Sequence, residues 1–514
     1  IAASQAIGTN AIHHGAYRVL AGMAFALGGA RAADAPQWTE RADSLRTAID
    51  RTLWLPASGQ YAMVRYGRVA PMLAPRSEAL GQALAVLLDV AAPERAALLV
   101  ARAPQLPFGT PTFWPSIDGV PAYHNRSIWP FVTAYATWAA ADVGNTAVVE
   151  HGLATLWRGV ALQLTNKENL VDATGHFEGT ALNSDRQLWS VAGTLAAQTR
   201  VLFGLRFGAD SLRFRPMVPP AYSGTRVMTG VRWRKATLAI AIVGHGRGIR
   251  RLLLDGKPLT GTAIPASITG SRSVRIELDE DWPPSAITMV VPRTTPATPV
   301  VVPGSDLTWA SVARADHYRI VRNGVVVDST RATRWALQPA AGVDEWQVIA
   351  VAADGTPSYA SEPVRVVPAS PVDGESFVLD LVPAGAARRA SAVATTPPSV
   401  LTERDGPPVT VSVTTRTAAR WRVEVCYANG SGPINTEDKA AIRTLLVNGT
   451  PGGVLVMPQR GAGRWDAFGM STAVTVHLDP GVHTLSLVTR PLDANMHRDV
   501  NTARIASIRL TRLP

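Results

Sequence analysis

The hydrophobic period changes once along this chain, near residue 205, and no single-class fold accommodates both halves. Before that point apolar residues recur at three and four over Ile12–Leu27, Trp38–Leu53, Ser77–Leu88, Ile128–Val143, Thr146–Leu164 and Gln187–Phe203, which predicts about six long helices. Gly28-Gly29, Gly144-Asn145 and Gly204 stand where helix stops belong. The stretches Ala103–Arg126 and Thr165–Arg186 are longer than packing requires and are candidates for a functional face. Beyond the change, Leu212–Pro216, Thr237–Val243, Arg250–Leu254, Val274–Leu278 and Ala286–Val291 alternate or are β-branched, with Asp255-Gly256 as a hairpin turn, and predict a β-sandwich. Arg293–Pro299 reads as a semi-rigid linker, since proline fixes backbone angles and removes donors. Short strands follow, including Tyr318–Arg322, the Asn323-Gly324 turn, Val325–Asp328 and Glu345–Val351. A second proline linker, Pro368–Pro371, precedes further strands from Phe377 to Leu510. At roughly 150 residues per domain, the chain of 514 predicts three or four domains. They fall at 1–205, 206–297, 298–368 and 373–514.

Composition narrows the function classes. The net charge is +11, but only four of the 50 basic residues are lysine, and arginine is scattered through every segment. A nucleic-acid binder concentrates its cations on one face or tail, whereas the densest clusters here, Arg232/Arg234/Lys235 and Arg247/Arg250/Arg251, are short and interrupted; no nucleic-acid partner is predicted. Charged residues are 17% and hydrophobic ones 46%, which argues against extensive disorder. No window approaches about 18 apolar residues, so no membrane span is predicted. The single Cys426 excludes an intramolecular disulfide and a cysteine-cluster zinc site. The start Ile1-Ala2-Ala3-Ser4 is neither a methionine start nor a signal peptide, which leaves two readings, a chain truncated at Ile1 or one completed by another chain.

The most informative stretch is Thr112–Pro130, which gathers Trp114, Tyr123, His124, Asn125, Arg126 and Trp129 among prolines just before a helix. Aromatic faces stack on the apolar C–H faces of pyranose rings, while Asn and Arg meet hydroxyls with planar donors. The same residues also read as a rigid aromatic-proline loop with Trp114 and Trp129 in the core. Tyr123-His-Asn-Arg-Ser-Ile-Trp-Pro130 resembles the Tyr-His-Asn-Gly-Ser-Ile-Trp-Pro motif of six-hairpin glycosidases, the superfamily that includes glycogen-debranching-type glucosidases, trehalases, glucoamylases and bacterial α-L-rhamnosidases. Arg126 stands where glycine is common. His176-Phe-Glu-Gly179, followed by Asn183–Gly193, resembles the glutamate loop and the Gln-x-Trp-Ser helix of those enzymes, which brings in Arg186 and Trp189.

The resemblance implies a multidomain chain: an all-α (α/α)6 toroid, present as its C-terminal half, followed by all-β sandwich domains. It implies an exo-acting, inverting glycoside hydrolase without a catalytic cofactor or metal, with Glu178 as the carboxylate that activates water and Asp185 as runner-up or, preferably, a helix cap. The general acid of such enzymes comes from the barrel half not seen here, so the absent half is an implied partner and this chain alone is expected to be inactive. The inward faces of a half-barrel would lie exposed. His13-His14 point about 100° apart on a helix and read as one partly buried and one exposed histidine. Glu168-Asn169 reads as a surface turn.

In the β-rich part, the Leu212–Pro216 sandwich resembles the support attached to such barrels. The segment with Trp309, Tyr318 and Trp346 resembles a fibronectin type III spacer. Tyr427–Gly430, Val447–Gly449, Arg464–Gly469, Leu478–Leu485 and Asn501–Ala503 resemble carbohydrate-binding modules of families six and thirty-five, jelly rolls in which Tyr427, Trp465 and Asn501 would touch sugar. Core packing is the other reading of Trp465. A structural calcium, common in those modules, would use Asp380, and Cys426 reads as a small buried hydrophobe. Oligo- or polysaccharide is the implied ligand, and secretion or a bacterial periplasm the implied location. A noncatalytic glycan-binding adhesion protein and a phosphorylase of related fold are the alternatives.

Overall fold

The structure, a computed structural model, describes residues 4–67, 70–302, 304–337, 344–366, 376–381, 397–432, 439–491, 493 and 500–513. Its helices are α1 (Ile7–Leu27), the short α2 (Gly29–Ala32), α3 (Ala35–Leu53), α4 (Ala79–Leu87), α5 (Pro93–Arg102), α6 (Pro130–Val143), α7 (Thr146–Gln163) and α8 (Leu188–Ala196). The sequence reading missed α5, a ten-residue helix opened by proline at its first position, where no N–H is needed. In the packing, α1, α4, α6 and α8 follow one another as an inner row, backed by α3, α5 and α7. The inner helices start at one common end: Gly8 packs against Gly81, Ala79 lies with Trp129, and Phe131 stacks on Trp189. Every loop that enters an inner helix therefore delivers its residues to the same place.

The described helices form an open row with α1 and α8 at its ends. Val19, Met23, Phe25 and Leu27 of α1 and Leu188 and Leu195 of α8 are exposed. His14 is buried and His13 exposed, as their 100° separation requires. Burial lowers the His14 pKa, which favours the neutral imidazole.

The first sandwich pairs strands 205–207, 211–214 and 263–265 in one sheet and 225–233, 235–243, 269–278, 249–254 and 257–258 in the other. Alternation in 235–243 sends Ala236, Leu238, Ile240 and Ile242 inward. These join Leu153, Leu156, Val201 and Leu202 in one core, so helices and sandwich are a single packed unit. The Ala286–Val291 run does not extend the sandwich; Thr288–Met289 pairs in parallel with Pro104–Gln105 of the helical region. Gly204 turns the chain between the two parts at φ +61°, and a Cβ there would lie 2.1 Å from the Arg215 carbonyl carbon. Gly204→Ala adds left-handed strain to a backbone clash, and lowers stability by about 3 kcal/mol. A denaturation midpoint equal to that of the wild type would contradict this.

The small sandwich faces strands 301–302, 306–309 and 334–336 against 325–330, 315–322, 344–352 and 364–366, around Leu307, Trp309, Tyr318 and Trp346. Its hairpin turns at Asn323-Gly324, both at positive φ. It is no free spacer: Val321, Ile349, Val351 and Ala360 close a core with Tyr66 and Ala74 of the helical region. In the C-terminal sandwich a six-stranded and a four-stranded sheet enclose Trp421, Val423, Tyr427, Leu445 and Leu485, while Cys426 is half-buried.

Candidate functional site

The site is assembled where α4, α6 and α8 begin. Trp129 precedes Pro130, the first residue of α6, and is 1% exposed. Its indole N–H donates to the Tyr123 carbonyl at 2.7 Å, and its ring lies 4.9–5.8 Å from those of Tyr123, His124, Trp189 and Phe131. Such a residue is a floor, not a platform open to sugar. Trp189, stacked on Phe131 at 4.8 Å and 45% exposed, is the indole with surface to offer.

Beside this floor, Leu170–Val171 pairs with Ser127–Ile128, which pulls the preceding residues inward. Glu168 is consequently 4% exposed. The Tyr123 hydroxyl donates to its Oε1 and the Ser184 hydroxyl to its Oε2, both at 2.7 Å. The backbone N–H of Glu168 donates to the Ser184 carbonyl, and the Asn169 amide donates to the Leu182 carbonyl. A carboxylate offers about four acceptor positions, of which these two hydroxyls fill two. The hydrogen bond to Glu168, assisted by burial, holds the Tyr123 phenol above its usual range. Partial burial lowers His124 against the opposing pull of Glu168, so the ring is neutral at neutral pH. Burial raises Asp172, opposed by Arg126, and the Asp172 N–H donates to the Arg126 carbonyl. Arg126 and Arg186 are both exposed at positive φ, 54° and 50°. Neither guanidinium makes a hydrogen bond or close ion pair among the described residues.

Glu178, the expected base, is not overturned but stands in the open: its side chain is 79% exposed, and its one ion-pair approach among the described residues is to His176 at 3.9 Å. Several expectations are corrected. Glu168-Asn169 is buried and bonded, not a surface turn. Asp185 does not cap α8, which Gln187 caps; it pairs with Lys167 at 2.5 Å. Asn125 is buried, and its amide is occupied by Ile117 N–H, Ile117 carbonyl and Val120 carbonyl, so it staples the 117–125 loop. Trp114 turns to the linker, donating to the Val291 carbonyl beneath Arg293. In the C-terminal sandwich Tyr427 is core, with its hydroxyl on the Pro458 carbonyl. Asn501 is buried among Ile442, Arg443 and Asp493. Of the three expected sugar contacts there, Trp465 alone keeps accessible surface. Among the described residues no group of three or more His, Cys, Asp or Glu side chains gathers around Asp380.

Glu78 lies at the same end. Its carboxylate accepts from Leu80 N–H and Gly81 N–H at the start of α4. Burial pushes its pKa from 4.5 up to about 7, although both N–H groups pull it down. The folded protein thus holds this proton more tightly than the unfolded chain, and the associated stability is lost as pH rises through 7. Glu78→Gln flattens the fall in stability between about pH 5 and about pH 8; an unchanged slope in urea titrations would refute the assignment.

Residues 3–190, the helical region, match the model of a family described as the mannosylglycerate hydrolase MGH1-like glycoside hydrolase domain, which supports a glycoside hydrolase. No curated protein matches the chain. Among solved structures, a GH63 mannosylglycerate hydrolase from Thermus thermophilus in complex with glucose is 22% identical, with a TM-score of 0.30, over 38% of this chain and 48% of that one. A family 35 carbohydrate binding module from an environmental isolate is 20% identical, with a TM-score of 0.20, over 26% of this chain and 92% of the module. The family 35 module from Cellvibrio japonicus is 19% identical, with a TM-score of 0.16, over 21% and 66%. This chain spans about half the length of the Thermus hydrolase and just under two thirds of the Cellvibrio structure. No described helix is long and apolar enough to cross a membrane.

Proposed function

We propose that residues 1–205 are the C-terminal half of an (α/α)6-barrel glycosidase and that Glu168 is its water-activating carboxylate. The observation that carries this is the fixed position of Glu168 between Tyr123 and Ser184, at the end of the inner row where Trp189 offers its free face. A base must be held within hydrogen-bond reach of its water with acceptor capacity left over; Glu168 meets both conditions, whereas the exposed Glu178 has the acceptor capacity but not the fixed position. Water is activated on one face of the sugar while an acid from the opposite half protonates the leaving oxygen, an inverting course. The exposed apolar faces of α1 and α8 are the seams for that half. The enzyme is exo-acting and works outside the cytoplasm or in a periplasm, with the fibronectin-like unit and the sugar-binding module attached; Trp465 is the module's contact to sugar. The family's description supports a mannosylglycerate-type glycoside as the substrate. The exposed guanidinium groups of Arg126 and Arg186 suit an acidic aglycone.

The test is incubation of the chain, joined to the missing half, with mannosylglycerate, following the first-formed anomer by proton NMR. Phosphate-independent release with inversion is expected. Phosphate-dependent release would make it a phosphorylase, and sugar binding without release would make it an adhesion protein.

A further inference from the structure

Tyr123, His124 and Arg126 sit on a loop, residues 112–126, whose inner side is stapled by Asn125. What holds its outer side is the linker and the small sandwich. Ser116 N–H donates to the Arg293 carbonyl, and Thr295 N–H donates back to the Ser116 carbonyl, both at 2.8 Å. Arg314 of the sandwich donates to Thr294 Oγ1 at 2.6 Å and to the Thr295 carbonyl at 2.7 Å, and reaches Asp118 of the loop at 3.2 Å. Arg76 is 5% exposed. It donates to the Pro115 carbonyl at 3.1 Å and to Thr295 Oγ1 at 3.0 Å, while its guanidinium lies 4.5 Å over the Tyr359 ring. One buried cation thus touches loop, linker and sandwich at once. Immediately after it, Ser77–Glu78 pairs with Phe113–Trp114 and leads into α4.

A buried guanidinium is costly unless acceptors and a ring face replace water. For Arg76 the loop, the linker and the sandwich each supply one of those replacements. The favourable state of Arg76 therefore exists only with the sandwich docked and the loop in place. On the outer rim Arg314 repeats the connection, and its left-handed backbone, φ +66°, aims a long donor at Asp118.

We infer that the small sandwich braces the candidate sugar loop, with Arg76 and Arg314 as positioning residues. The inference rests on the site reading above. Through Asp118 and the Asn125 staple, the brace holds Tyr123 against Glu168, and Trp189 on α8 lies outside it.

The test is hydrogen exchange of the chain itself, with Arg314→Ala as the principal variant because Arg314 is half-exposed and its loss leaves the cores intact. Exchange across residues 112–126 is expected to quicken by about tenfold, the size of one lost charge-assisted hydrogen bond, and Arg314→Lys restores it. Arg76→Ala gives the larger effect if it folds. In the completed enzyme, Arg314→Ala lowers kcat on mannosylglycerate by about tenfold with KM within about twofold. Unchanged exchange in Arg314→Ala overturns the brace, and quicker exchange with unchanged kcat overturns the positioning role. A wild-type enzyme that releases no sugar defeats the glycosidase reading, while exchange still decides the brace.

Discussion

Glu168→Gln lowers kcat of the completed enzyme by about 1,000-fold while leaving its affinity for mannosylglycerate nearly unchanged. The substitution is nearly isosteric. Gln keeps a carbonyl oxygen for the Tyr123 hydroxyl, and its amide can still meet Ser184, so the loop pairing that buries residue 168 survives. What disappears is the capacity to take a proton from water. An effect on kcat without one on affinity marks a group that acts only in the transition state. Titration calorimetry beside steady-state kinetics measures both. A variant that loses affinity in step with rate would make Glu168 a sugar ligand.

Trp129→Ala is expected to cost about 3–5 kcal/mol, the largest stability loss of any change at the site. The ring is 1% exposed and contacts four other rings, and its N–H satisfies the Tyr123 carbonyl. Removing it opens a cavity under Tyr123 and His124 and leaves that carbonyl unpaired. The denaturation midpoint of the helical unit reads the loss directly. A cost below about 1 kcal/mol would mean that the indole is peripheral, and that the floor described above is wrong.

The change of period near residue 205, the long helices and the hairpins at Asp255-Gly256 and Asn323-Gly324 were legible because each is a local pattern. The stretch that carries Tyr123, His124 and Trp129 was also legible, since aromatics crowded among prolines ahead of a helix are a compositional signal. Glu168 was not, because its burial follows from the pairing of Leu170–Val171 with Ser127–Ile128, more than forty positions earlier in the chain. A signal was present: an apolar Leu-Val pair directly after Glu-Asn, inside a loop already marked as functional. Glu178 attracted attention through a resembling motif, which says nothing about whether its carboxylate is held. Asn125, Trp114 and Asn501 show the same limit, since a polar or aromatic side chain suited to sugar is equally suited to stapling a loop, capping a linker or filling a sandwich. The docking of the small sandwich lay furthest from reach, because Arg76, Pro115, Thr295 and Tyr359 are joined only by the tertiary fold.

The most direct test of the central claim is a single assay that compares sugar release by Glu168→Gln and Glu178→Gln in the completed enzyme under identical conditions. The account predicts that Glu168→Gln is nearly inactive and that Glu178→Gln keeps turnover within about threefold of wild type, as suits an exposed loop carboxylate. The reverse order would return the catalytic base to the exposed loop and contradict the site described here.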